Sequence, residues 1–127
     1  MIHASCLCGK IQFTISGEIK RATHCHCSMC RKAHGAAFAT YGIVAVEQVA
    51  IVSGEEFISK YNSSPLVQRW FCSQCGSNLR WLSQKYPNLF EFPFGLLDDD
   101  PVKRPSMHIF TASKAPWYEI TDGLPQK

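Results

Sequence analysis

Between Lys10 and Ser16 the chain alternates, with Ile11, Phe13 and Ile15 on one face and Gln12 and Thr14 on the other. A period of two is the mark of a half-buried strand, because successive side chains point to opposite faces. Val67 to Phe71 alternates again, and Ile43 to Val52 is rich in β-branched residues. Asn88 to Gly95 sets Phe90, Phe92 and Phe94 on one face, the pattern of a sheet core. Pro93 interrupts that run and lacks a backbone N–H, so it predicts an edge or bulged strand. Ser106 to Thr111 is a further candidate. Breakers separate these runs: Gly17, Gly42, Ser53-Gly54, Asn62-Ser63-Ser64-Pro65 and Asp98-Asp99-Asp100-Pro101, the last read as a solvated turn. The helix signal is short, with Ser28 as the cap of a turn through Arg31 to His34 that closes at Gly35. The pattern predicts a mainly β fold.

Length and composition narrow this little. At 127 residues, 1–127 is expected to form a single domain. The formal charge of +3 carries no Lys/Arg run, so the electrostatic footprint of a nucleic-acid binder is not expected. No apolar stretch approaches the roughly 20 residues of a membrane span. Met1 to Lys10 lacks a basic segment followed by an apolar one, so no signal peptide is expected and the chain reads as cytoplasmic.

The chemistry lies in seven cysteines grouped as Cys6-Leu7-Cys8-Gly9, Cys25-His26-Cys27-Ser28-Met29-Cys30 and Cys72-Ser73-Gln74-Cys75-Gly76. In a reducing compartment, such spacings and an odd count favour metal over disulfides. Cys6 and Cys8 share a face of an extended segment, and Cys72 and Cys75 have the spacing of a zinc knuckle. Each pair is followed by glycine, which leaves backbone amides free to approach the thiolates. Together the pairs can complete one tetrahedral site that ties the start of the chain to its middle. In the triplet, Cys25 and Cys27 face one way and His26 the other, where a buried, hydrogen-bonded histidine is expected. Three thiolates leave a fourth zinc position, which His24, His34 or His108 would close or a substrate thiol would use. The residues alone leave these alternatives open.

The motifs Cys6-x-Cys8-Gly9, Cys25-His26-Cys27-x-x-Cys30-Arg31-Lys32 and Cys72-x-x-Cys75-Gly76 resemble those of the glutathione-dependent formaldehyde-activating enzyme and centromere protein V family. Gly95-Leu96-Leu97-Asp98-Asp99 and the stretch from His108 to Trp117 are similar too, and the resemblance runs from about Cys6 to Leu124. It implies packed antiparallel sheets of the β-tent type and two zinc ions per chain. Cys6, Cys8, Cys72 and Cys75 would hold a structural ion, and Cys25, Cys27 and Cys30 the ion associated with activity. The implied reaction adds glutathione, or a similar low-molecular-weight thiol, to formaldehyde or a related small aldehyde, as a carbon–sulfur lyase. His108 would then shuttle a proton, Arg31 and Lys32 would bind substrate carboxylates, Lys114 would border the site, and Trp117 reads as core. The competing classes are a non-catalytic zinc module for protein or nucleic-acid interaction, and thiol redox catalysis of the methionine-sulfoxide reductase B kind.

Overall fold

The computed structural model describes residues 1–127. Strands β1 (Ile2–Ser5), β2 (Gln12–Ile15) and β5 (Val49–Ser53) form a small antiparallel sheet with β2 in the centre. The other strands are β3 (Arg21–Cys25), β4 (Ala39–Ala45), β6 (Ile58–Ser64), β7 (Val67–Cys72), β8 (Asn78–Ser83), β9 (Leu89–Pro93) and β10 (His108–Ile109). They make a seven-stranded sheet in the order β10-β3-β4-β9-β8-β7-β6. Its neighbours are antiparallel except β10, which lies parallel to β3. The fold is mainly β, in packed antiparallel sheets.

Alternation decides what each face does. Phe13 and Ile15 of the small sheet pack against Val44, Phe90 and Phe92 in one apolar core, with the Phe13 and Phe90 rings 5.8 Å apart. Phe90 and Phe92 face that core as their spacing predicts, both buried. The intervening positions of the large sheet look the opposite way, where Cys25, Ala39 and Tyr41 form a second buried cluster with Cys30 from the helix that follows β3.

Three local expectations are corrected. Ile43 to Val52 is not one strand, because β4 stops at Ala45 and a 3-10 turn (Val46–Gln48) carries the chain into the other sheet. Gln48 fixes that corner: its side-chain oxygen accepts from the Ala45 N–H at 2.9 Å and its amide donates to the carbonyls of Ser16 and Glu18. Pro93 does not push β9 to an edge. β9 lies between β4 and β8, but pairing with β8 is limited to Trp81 opposite Glu91, so the missing N–H of the terminal proline breaks no ladder there. Helix α1 (Ser28–His34) is capped by Cys27, whose sulfur accepts the Cys30 N–H at 3.2 Å, and not by Ser28. It closes at Gly35 as expected. No helix is long and apolar enough to cross a membrane.

Gly54 leads out of β5 with φ +80°, and a Cβ there would lie 2.1 Å from the carbonyl oxygen of Lys10. Backbone cannot move aside as a flexible side chain can, and Ser53 Oγ already bonds the same carbonyl. Gly54→Ala therefore combines left-handed strain with a backbone clash, and about 3 kcal/mol of lost stability is expected in urea unfolding. An unchanged midpoint would show that the Lys10 segment is free to shift.

Candidate functional site

The first two cysteine pairs meet, although 64 residues separate Cys8 from Cys72. Cys6 and Cys8 precede β2, and Cys72 and Cys75 flank the β7–β8 turn. Their four sulfurs lie within 4.8 Å of one another, with Cys6 to Cys8 at 3.6 Å and Cys8 to Cys72 at 3.9 Å. A tetrahedral zinc with Zn–S bonds of about 2.3 Å separates its sulfurs by about 3.8 Å, so the donor set fits that ion. The two turns are built alike. Gly9 and Gly76 both take positive φ, their N–H groups bond back to the carbonyls of Cys6 and Cys72, and Ile11 and Gln74 direct amides at the Cys6 and Cys72 sulfurs at 3.4 Å. Ser77, not singled out by the sequence, links the turns. Its hydroxyl accepts the Leu7 N–H at 2.9 Å and lies 3.4 Å from Cys75 Sγ, which holds the Cys75 thiol down to about 5.

The triplet gathers at the end of β3 and the first turn of α1. Cys25, Cys27 and Cys30 form a second sulfur group within the same 4.8 Å limit, and it includes no histidine. Each candidate for the fourth position has a ring nitrogen bonded elsewhere. His24 Nδ1 pairs with Thr40 Oγ1 at 2.7 Å, and His34 Nε2 with the Tyr41 hydroxyl at 2.8 Å. His108 uses both nitrogens, with Nδ1 2.7 Å from His26 Nε2 and Nε2 2.9 Å from Asp122 Oδ2.

Arg69, on β7, supplies a second observation on the triplet. The residue is only 9% exposed, its Nη2 lies 3.7 Å from Cys30 Sγ, and Nη1 lies 3.5 Å from the Tyr41 hydroxyl. No carboxylate pairs with it in the chain's ion pairs. A buried guanidinium needs a compensating charge. Three thiolates around a divalent zinc carry −1 and provide it, so the surroundings as well as the donors fit a bound zinc. Even without metal, Cys30 is the thiol pushed down, first by its hydrogen bond from Cys25 and then by Cys27 and Arg69.

Cys25, Cys27 and Cys30 open into a cavity of about 660 Å³. Besides the three cysteines its lining includes the apolar Ile43, Val67, Trp81, Leu89, Ile109 and Phe110, and its charged members are Arg21, Arg69 and Glu91. That volume suits a ligand of tripeptide size. A row of cross-strand partners forms the floor, running Arg21, Ile43, Glu91, Trp81 and Arg69 across β3, β4, β9, β8 and β7.

Other sequence candidates lie apart from this cavity. Arg31 and Lys32 are not among its lining residues: Lys32 is exposed, and Arg31 is half-buried with its Nε enclosed. His108 is fully buried on the reverse face of β3 with His26, and His26 is the buried, hydrogen-bonded histidine expected. Lys114 donates to the backbone carbonyls of Ala115 and Tyr118. Trp117 is 70% exposed, which corrects the core reading. The Asp98–Asp100 turn is exposed as expected, while Asp98 accepts from Ser5 Oγ and Asp99 from the His3 N–H. Arg69, Glu91, Tyr41 and Asp122 do not stand out in the sequence patterns. For Arg69 and Glu91 a signal existed: each is a charge at an inward position of a strand otherwise apolar on that face.

The model of the family described as glutathione-dependent formaldehyde-activating enzyme matches residues 1–113. A protein of Halomonas elongata provisionally named as such an enzyme is 30% identical, the alignment covering 94% of this chain and 81% of that one. Proteins of Fusarium vanettenii and Talaromyces marneffei with the same provisional name are each 28% identical, over 93% and 76% of this chain. The chain spans only 57% and 49% of those two fungal relatives. The crystal structure of a Rhodobacter sphaeroides protein superposes with a TM-score of 0.65 at 21% identity, covering 77% of this chain and 89% of that one, and so shares the fold.

Proposed function

The chain belongs to the glutathione-dependent formaldehyde-activating enzyme family, and from that premise we propose that it adds a low-molecular-weight thiol, glutathione or a close analogue, to formaldehyde or a related small aldehyde. The reaction is of the carbon–sulfur lyase class. The observation that carries this reading is the opening of three clustered cysteine sulfurs into a mostly apolar cavity of about 660 Å³. In the same reading 1–127 acts as one domain with two zinc ions, Cys6, Cys8, Cys72 and Cys75 holding the structural one and Cys25, Cys27 and Cys30 the other. Cytoplasmic residence follows from the need to keep seven unpaired thiols reduced.

Zinc bound at the triplet would supply a cation that favours the thiolate form of an incoming thiol at neutral pH. The residues of the chain do the rest. Arg69 balances the negative charge of the sulfur cluster. The apolar part of the walls, with Ile43, Val67, Trp81 and Ile109, lowers the local polarity and strengthens the charge interactions near it. Arg21, exposed at the cavity edge, replaces Arg31 and Lys32 as the group placed to meet a substrate carboxylate. His108, closed off from the cavity, supports the Cys25–Cys27 segment through His26, so in this reading the proton is carried by another group.

The test is the rate of exchange between free formaldehyde and its thiol adduct, followed by NMR with the zinc-loaded protein. The rate is expected to rise in proportion to protein concentration for glutathione or another small thiol. No rise above the spontaneous rate across several such thiols would overturn the reading.

A further inference from the structure

Glu91 is the one carboxyl that lines the cavity of the cysteine triplet. It sits mid-floor, between Ile43 and Trp81 in its cross-strand row. With strands about 4.8 Å apart, Arg21 and Arg69 stand two strands, about 10 Å, to either side along the backbone. The chain's three ion pairs, His3–Asp99, Arg104–Asp100 and His108–Asp122, leave Glu91 out. Glu91 is half-buried beside Ile43 and Trp81, and no ion pair or hydrogen bond offsets that partial burial. A carboxyl lining the same cavity as three thiols points to a chemical role.

The other titratable groups of the cavity are poorly suited to carrying a proton. The Tyr41 hydroxyl is engaged by His34 and Arg69, and burial pushes its ionisation up. Tyr86 is 57% exposed at the rim. Arg69 is committed to Cys30 and Tyr41. The histidines pack on the reverse of the sheet or against Tyr41.

We propose that Glu91 is the catalytic proton-transfer residue of the thiol–aldehyde addition, working from the floor of the cavity that it shares with Cys25, Cys27 and Cys30. This rests on the function proposed above. As the S–C bond forms and the carbonyl π pair moves onto oxygen, the thiol proton passes to the Glu91 carboxylate. Glu91 then delivers it to that oxygen. The sum is RSH + CH₂O → RS–CH₂–OH, Glu91 returns to its starting charge, and no further reactant is needed. Burial supports the role by raising the carboxyl to about 7, against the lowering pull of Arg21 on β3 and Arg80 on β8, with Cys30 on α1 adding to the rise. A group that ionises near the working pH both takes and gives a proton readily.

The experiment compares the native protein with Glu91→Gln and Glu91→Asp, all full length and zinc-loaded, using glutathione and formaldehyde. Glu91→Gln is expected to lower kcat about 10²- to 10³-fold, the usual range for general acid–base catalysis, with KM for the thiol nearly unchanged. It is also expected to abolish an inflection near pH 7, and Glu91→Asp to restore a substantial part of the rate. Infrared difference spectra give a readout that needs no turnover: the native protein should show a protonated carboxyl band titrating near pH 7 that Glu91→Gln lacks. Stability supplies the fold control. The folded carboxyl is raised above its unfolded value, so its contribution is full below about pH 4.5 and is lost as pH rises through 7. Glu91→Gln should therefore melt at or above the native temperature at pH 8, with that advantage gone near pH 4.5. Native kcat in Glu91→Gln, a loss confined to KM, or a carboxyl that titrates near 4.5 would each overturn the assignment. If the native protein shows no turnover, the function itself fails, and the assignment with it.

Discussion

Cys72→Ser is expected to leave the chain without a cooperative fold at 25 °C. Cys72 is fully buried within the main core, where β7 ends, and its sulfur lies 3.9 Å from Cys8. The segment carrying Cys6 and Cys8 joins β1 to β2 of the small sheet, whereas Cys72 ends β7 of the large one and Cys75 lies in the turn after it, so the site ties the two sheets at one end. Structural zinc contributes about 10–16 kcal/mol in small zinc domains, against a net stability of about 5–15 kcal/mol for a whole protein. A serine hydroxyl is a poor substitute for thiolate, and the three remaining thiols would stay crowded without a cation between them. Circular dichroism during thermal unfolding, with metal content by mass spectrometry, reads the effect directly. Extended treatment of the native protein with a strong chelator should give the same non-cooperative state. A metal-free protein that still melts near the native temperature would show that the four cysteines are packing residues alone.

Much of this site was legible because its signals are local. Ligand spacing, the glycine after each pair and the alternation of Cys25, His26 and Cys27 all concern residues within a few positions of one another. Strands β2, β7 and β9 were readable for the same reason. What failed depended on partners distant in sequence. β6 (Ile58–Ser64) is largely polar because it is an edge strand, and β3 (Arg21–Cys25) hides its alternation behind Thr23, which is buried although polar, and His24, whose Nδ1 pairs with Thr40. Pro93 was misread because its cost depends on whether β8 extends opposite it. Arg31 and Lys32 were chosen for adjacency to Cys30, but successive helical residues point about 100° apart. Arg69 reaches the same cysteine from 39 residues away. The charges that matter arrive across the sheet, and only their inward phase in β7 and β9 announces them.

Cys27→Ser should separate the second cluster from the first. The substitution is mild for the helix, because the role of Cys27 in the backbone is to cap α1 by accepting the Cys30 N–H. Serine is among the best residues for that position, so the helix is expected to keep its cap and the fold to stay cooperative, with about 3 kcal/mol lost because buried Arg69 is left without its balancing charge. The metal is another matter. A hydroxyl in place of one of three thiolates weakens the hold on a soft cation, and it removes the negative charge that Arg69 balances. Zinc content is expected to fall from two per chain to one, and thiol–aldehyde exchange to fall at least 10³-fold, to the spontaneous rate. Two zinc ions in the variant would place the second ion elsewhere, and one in both proteins would leave the triplet without metal as purified. Turnover surviving the loss of that ion would move the chemistry away from the triplet and onto the groups that share its cavity, with Glu91 foremost.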